Sequence, residues 1–268
     1  MLGRIPAARQ AIIDRIARSA RRARRRRMPV APDRLARYFY HGVSELDLVQ
    51  RTPEDLAGAA LAELELGRVR RPGRSLVRVF NPDSVRDGFS SSHTVIMVVT
   101  DDMPFLVDSL GMVCTQNGLA VHLLAHPVFS AIRDRRGRLT DLHLDHPPPG
   151  AKAESWQLIE IDREPDPRRL AAIERSIRRS LDDIRAATTD WRRMRGKALD
   201  VAAELGIARV RGQKYEIREA QALLEWMEDN HFTFLGYRDY RLRRGSGSRS
   251  ISMSCQDSSR APAGGFSR

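Results

Sequence analysis

The sequence predicts an α+β sandwich, in which an antiparallel sheet carries helices, and three observations carry that expectation. Thr94 to Val99 is a nearly unbroken apolar run, as expected of a strand covered on both faces, and it stops at the polar pair Asp101 and Asp102. Leu106, Leu110 and Val113 then recur at helical spacing and end at Asn117-Gly118, a left-handed helix stop. Further along, Leu170, Ile173, Ile177, Leu181, Ile184, Thr188, Trp191 and Met194 hold steps of three or four, the stripe of a second, long helix opened by Asp166-Pro167. A helical lead-in followed by strand, helix, two or three strands and a long helix fits a ferredoxin-like βαββαβ order, with both helices on one face of the sheet.

The elements follow from local punctuation. Thr52-Pro53-Glu54-Asp55 combines a hydroxyl cap, a proline at the first helical position and an acid three residues after the cap, which predicts a helix running to Leu66 before Gly67. Ser75 to Phe80 alternates apolar with polar and ends at the turn Asn81-Pro82-Asp83, so it reads as a strand. His93 to Thr100 is the central strand. Pro104 is compatible with a first helical turn, and Asp101 and Asp102 are expected to cap the helix that starts there. Val121, Leu123, Ala125 and Phe129 place apolar groups on one face of the next strand, with His122 and His126 on the other. A hairpin over Arg135 to Arg138, containing Gly137, leads to a strand from Leu139 to Asp145. His146-Pro147-Pro148-Pro149-Gly150 is a loop, Glu154 to Asp162 a strand, Glu216 to Glu228 a helix and His231 to Arg241 a last strand.

Charge is distributed unevenly. Of the net +12, residues 1–37 hold +10, from twelve Arg against Asp14 and Asp33, and residues 243–268 hold +4, leaving −2 for 38–242. The basic excess therefore sits in two ends expected to be loosely ordered, although Ile5, Ile12, Ile13 and Ile16 fall at roughly helical spacing just before Arg21 to Arg27. Lysine occurs only at Lys152, Lys197 and Lys214, so arginine bias pervades the chain and a solvated arm outweighs a membrane, transit-peptide or RNA-binding reading. No apolar run approaches the roughly 18 residues of a membrane span. Cys114 and Cys255 show neither a disulfide framework nor metal spacing, which suits a reducing cytoplasm.

Longer blocks carry a resemblance. DDMPFLVDSL, HLLAHPVF, ESWQLIEIDR, the Asp190-Trp191 pair with Met194, and EWMEDNHFTFLGYRDY together resemble the N-terminal region of the very large bacterial NAD-specific glutamate dehydrogenases, from about Tyr38 to about Arg241. The resemblance implies an ACT-type regulatory module, with the catalytic domain, its NAD site and the oxidative deamination of glutamate to 2-oxoglutarate and ammonia lying elsewhere in a longer chain. It implies partners too: self-association, contact with the rest of the dehydrogenase, and an amino-acid effector at the first strand–helix corner. The matching residues are Asp101, Asp102, Met103, Pro104, Phe105 and Leu106. There the resembled pattern has a glycine immediately after the proline, where this chain has Phe105.

The expected organisation is a flexible basic arm over 1–37, a helical lead-in and ACT-like domain over 38–200, a linker helix and the start of a truncated second ACT-like module over 201–242, and a disordered tail over 243–268. That tail, rich in Ser, Gly and Arg, departs abruptly from the resembled sequence, as a frameshift would make it. No glycine-rich strand–helix turn for a dinucleotide is present, and no lysine sits where its pKa would be lowered, so no catalytic, cofactor or metal site is expected in this chain. His122 and His126 lie about 13 Å apart along a strand, too far to share one ion. The competing functions are a stand-alone ACT-like amino-acid sensor and a nucleic-acid-associated protein using its basic arms.

Overall fold

The computed structural model describes residues 6–23, 28–143, 147–189, 191–207, 214–234, 238–244 and 251–257. The chain divides into two compact units, Met1–Leu181 and Asp182–Arg268.

The first unit opens with helices. α1 (Ala7–Arg22) buries Ile12, Ile13, Ile16, Ala17 and Ala20 and packs on α2 (Pro32–Phe39) and α4 (Pro53–Leu66), with the short α3 (Glu45–Val49) between them. The expected solvated arm is thus corrected over the described part of 1–37: its isoleucines anchor a helix in the core, and only its arginine face looks outward. Small residues permit the close approach, since Ala20 of α1 and Ala57 and Ala60 of α4 are buried in the same cluster. The cap read at Thr52 forms, its Oγ1 accepting from Asp55 N at 3.1 Å, and Ser44 Oγ caps α3 in the same way, accepting from Asp47 N at 3.2 Å.

The sheet comprises β1 (Leu76–Phe80), β2 (Thr94–Asp101), β3 (Val121–Ala125), β4 (Val128–Arg133), β5 (Leu139–His143) and β6 (Lys152–Ile161), ordered β1-β2-β6-β4-β5, with β3 also on β6 and every pairing antiparallel. Between β1 and β2 lies a single turn, α5 (Ser84–Asp87). α6 (Leu106–Gln116) and α7 (Pro167–Thr189) complete the unit, α7 crossing into the second unit at its end. The α+β sandwich with its helical lead-in is therefore present. Its edge strand beside β2 is supplied by β1, which precedes the first sandwich helix in the chain. The expected single strand through Phe129 is two, β3 and β4, because Trp156 N donates to Pro127 O at 3.0 Å and the chain steps along β6 at His126-Pro127.

Both faces of the sheet are covered. Val95, Met97, Val99, Trp156 and Leu158 share one cluster with Leu35, Phe39 and Leu64 of the lead-in helices. By strand alternation Ile96, Val98, Ile159 and Ile161 face the other way, and all are buried, as are Leu106, Leu110, Ile173, Ile177 and Leu181 on α6 and α7. This explains the unbroken apolar run of β2: a strand between two cores has no polar face.

The second unit takes the end of α7 and adds α8 (Trp191–Ile207) and α9 (Lys214–Trp226), a five-residue π turn (Met227–His231), and a hairpin of β7 (Arg238–Arg244) with β8 (Ile251–Asp257). The long helical stripe read through Met194 is thus carried by two helices, and Asp190 itself lies outside the described residues. His231, expected in a strand, closes the π turn, where its Nδ1 lies 3.0 Å from Trp226 O and its ring stacks on Trp226 at 4.8 Å. Residues 251–257 of the expected disordered tail pair with β7; positions 245–250 and 258–268 lie outside the described residues.

Candidate functional site

The predicted effector corner lies at the end of β2. Asp101 pairs with Glu154 in the ladder, and Asp102 N extends that edge by donating to Ala153 O at 3.0 Å. Helix α6 begins at Leu106, two residues later than the proline suggested, and its N-cap residue Phe105 has φ 67° and ψ 6°, with no side-chain cap. That is the left-handed region, which costs an L-residue roughly 1–2 kcal/mol and which glycine enters freely. The glycine of the resembled pattern thus has a backbone reason, and this chain places a 46% exposed phenyl ring there instead.

Neither aspartate caps the helix, which corrects the expectation. The Asp101 carboxylate accepts from Arg70 Nη2 at 2.7 Å, and the Asp102 carboxyl is raised by partial burial. Leu106 is anchored in the core, Met103 is half-buried and Pro104 is exposed. The corner therefore presents the first-turn amides of α6 behind an aromatic side chain, able to meet a small anionic group but with restricted approach.

Behind the corner, on the lead-in side, sits an ion network absent from the sequence reading. Glu154 and Arg70 are almost fully buried. Arg70 Nη2 donates to Glu154 Oε1 at 2.7 Å, while Arg133 meets both Glu154 oxygens at 2.7 and 2.8 Å. Trp156 Nε1 adds a contact to Glu154 at 3.3 Å. Burial raises the Glu154 carboxyl, but the Arg133 and Arg70 guanidiniums outweigh it and hold the group below the usual carboxylate range. Gly137, at φ 78°, lies tight against the same segment: a Cβ there would stand 2.5 Å from Arg70 O. The network ties the 67–74 segment, β2, the β4–β5 hairpin and β6 together just where β2 turns into α6. Each partner is distant in sequence, so spacing alone carried no signal.

A second cluster lies at the other end of β6. Arg51 meets Glu160 through Nε at 2.6 Å and Nη2 at 2.5 Å, and Nη2 also donates to His122 O at 3.2 Å. Ser91 Oγ donates to Glu160 at 3.0 Å, His93 stacks on His122 at 4.2 Å, and His122 Nε2 lies 2.7 Å from Asp162. Arg51, Glu160, Ser91 and His93, with Thr52, Asp55 and Phe89, border a cavity of about 310 Å³. Its charges are already engaged with one another, which suits a clasp between lead-in helices and sheet better than a reaction centre.

His122 thus pairs with Asp162 and His93, while His126 is exposed beside Tyr38 and Val128. Among the described residues no group of three or more His, Cys, Asp or Glu is arranged to hold a metal ion.

A family model described as the ACT1 domain of glutamate dehydrogenase matches residues 35–177. The NAD-specific glutamate dehydrogenase of Pseudomonas aeruginosa is 35% identical over 210 residues, which cover 76% of this chain and 13% of that protein. The protein of the same name from Halomonas elongata is 36% identical over 217 residues, 80% of this chain and 14% of that protein. A third, from Mycobacterium tuberculosis, is 28% identical over 188 residues, 69% of this chain and 11% of that protein. The chain spans a small part of the length of each relative.

Proposed function

Because the chain belongs to the glutamate dehydrogenase ACT1 domain family, we propose that it serves as a control and assembly module of a large NAD-specific glutamate dehydrogenase and does not itself perform the hydride chemistry. The parent reaction on this reading is the oxidative deamination of L-glutamate to 2-oxoglutarate and ammonia, with NAD and the substrate held elsewhere in the enzyme. Its partners are the remainder of the dehydrogenase and further copies of the module, in the cytoplasm; no helix among the described residues is long and apolar enough to cross a membrane.

One observation carries the proposal. The segment matched by the family model falls within the unit whose sheet is sealed on both faces, and the buried acids of β6, Glu154 and Glu160, are each engaged by arginine in two ion clusters. Such an interior supports a rigid scaffold, and what it offers a partner is surface. Following NADH absorbance with the full 268-residue chain, glutamate and NAD tests this: no turnover is expected, and turnover would overturn the reading.

A second reading, an amino-acid effector at Asp101–Leu106, is favoured by the first-turn amides of α6, which no side chain caps. Calorimetry of the full chain against the common amino acids tests it. Heat that is lost when Phe105 is enlarged to Trp supports the corner, and no heat with any of them sinks it.

A further inference from the structure

The helical pair of the second unit leaves large apolar side chains exposed on both of its helices. α8 turns Met194, Ala198 and Ala202 inward, and α9 meets that side through Gln221, whose Nε2 donates to Ala202 O at 2.9 Å, while Arg195 Nε pairs with Glu228 at 2.9 Å beyond it. No residue of α9 is buried. On the far side of α8, Leu199, Ala203 and Ile207 follow one another at i, i+4, i+8, and Leu199 and Ile207 are 42% and 82% exposed. On α9, Tyr215, Ala222 and Trp226 form the same kind of stripe beside Leu223, and the three large side chains are 51–70% exposed. A 13-residue helix gains little stability by itself in water, and an apolar stripe left wet on each of two adjacent helices marks a contact surface.

Charge selects the occupant. α8 carries Arg192, Arg193, Arg195 and Lys197 against Asp200 and Glu204, a net of +2. Residues 214–231 carry Lys214 and Arg218 against Glu216, Glu219, Glu225, Glu228 and Asp229, a net of −3. A surface made of one basic and one acidic helix is complementary to itself under a two-fold axis, where α8 of each copy lies on α9 of the other.

We propose that the α8–α9 pair docks on the same pair of a second copy of this chain, forming a four-helix bundle with Leu199, Ile207, Leu223 and Trp226 at its centre. The two-fold operation makes both cross-contacts basic against acidic and removes both wet stripes at once.

Sedimentation of the full chain over a concentration series, at low and at high salt, tests this. The expected mass is twice the 30.3 kDa of one chain, with weaker association at high salt. Leu223→Asp combined with Ile207→Asp halves the mass with the helical circular dichroism unchanged, since both side chains are already exposed. Should that variant misfold, charge reversal decides: Glu219→Arg with Glu225→Arg weakens association at least tenfold, and adding Arg192→Glu with Lys197→Glu in the same chain restores it. A wild-type monomer up to roughly 100 μM, or association indifferent to both sets of substitutions, overturns the bundle. The inference deepens the assembly role proposed above, yet fails separately: a monomer without dehydrogenase turnover would sink the bundle and leave the module reading standing.

Discussion

At Phe105 the backbone and the side chain want different residues. Its left-handed φ of 67° favours glycine, while its ring is only half covered and returns little. Phe105→Gly is therefore expected to leave stability unchanged or to raise it by about 1 kcal/mol, whereas Phe105→Ala keeps the strain, loses the ring contacts and destabilises; urea unfolding of both variants separates these outcomes. Glu63 presents the opposite case, a fully buried carboxyl that no arginine, lysine or side-chain donor among the described residues meets. Burial pushes its pKa well above the ordinary 4.5, opposed only by the Gln157 backbone. The folded state then holds a proton that the unfolded chain releases, so this contribution is fully present below 4.5 and is lost as pH rises towards the folded value, with a slope approaching 1.4 kcal/mol per unit, to order of magnitude. Glu63→Gln is expected to flatten stability against pH from about 5 upward and to exceed the wild type near neutrality, as denaturant midpoints across that range would reveal.

Helix α4 illustrates how an element can invert a propensity rule. Glycine inside a helix ordinarily costs about 1 kcal/mol relative to alanine, and Gly58 lies mid-helix in α4. A Cβ at that position would stand 2.5 Å from Gly88 O and 2.7 Å from Phe89 Cβ, backbone and core atoms that have little room to give. Gly58→Ala is thus expected to destabilise, by roughly 1–3 kcal/mol from overpacking; a raised melting temperature would show that the loop after α5 yields more easily than its contacts suggest. The strands teach a related lesson. β6 holds the sheet together by pairing with β2 on one side and with β3 and β4 in succession on the other, and its two buried acids, Glu154 and Glu160, sit on the lead-in face at either end, each matched by arginine from a different segment. Removing a partner from such a pair leaves an uncompensated buried charge, which is far more costly than never having built the pair.

For the first unit as a whole, the N-terminal helix decides what counts as the domain. The family match begins at residue 35, yet α1 contributes Ile12, Ile13, Ile16 and Ala20 to the same cluster as the sheet residues Met97 and Trp156. Ile16→Asp places an unpaired carboxylate in that cluster, and a loss of about 3 kcal/mol or more is expected, readable as a cooperative drop in melting temperature; an unchanged transition would mean that α1 docks too weakly to belong to the core. A docked α1 also bears on its arginines. A membrane-surface helix must lay its apolar face in lipid, and here that face is already committed to protein.

Elements whose signals are local were legible in the sequence. The Thr52-Pro53 helix start, the Asn117-Gly118 stop, the Gly137 hairpin and the apolar run of β2 each follow from backbone sterics, capping or alternation within a few residues, and the structure places all four as read. What periodicity supplies is which face of an element is apolar; what covers that face is a property of the fold. Hence the isoleucines of α1 were visible but not their burial, the apolar positions of 121–129 but not the step at His126-Pro127, and the corner at Pro104 but not the left-handed turn at Phe105. The Arg70–Glu154–Arg133 network joins residues 21 to 84 positions apart, and only the closing of the sheet brings them within hydrogen-bonding distance. Local rules fixed the pieces, and burial from both sides chose their partners.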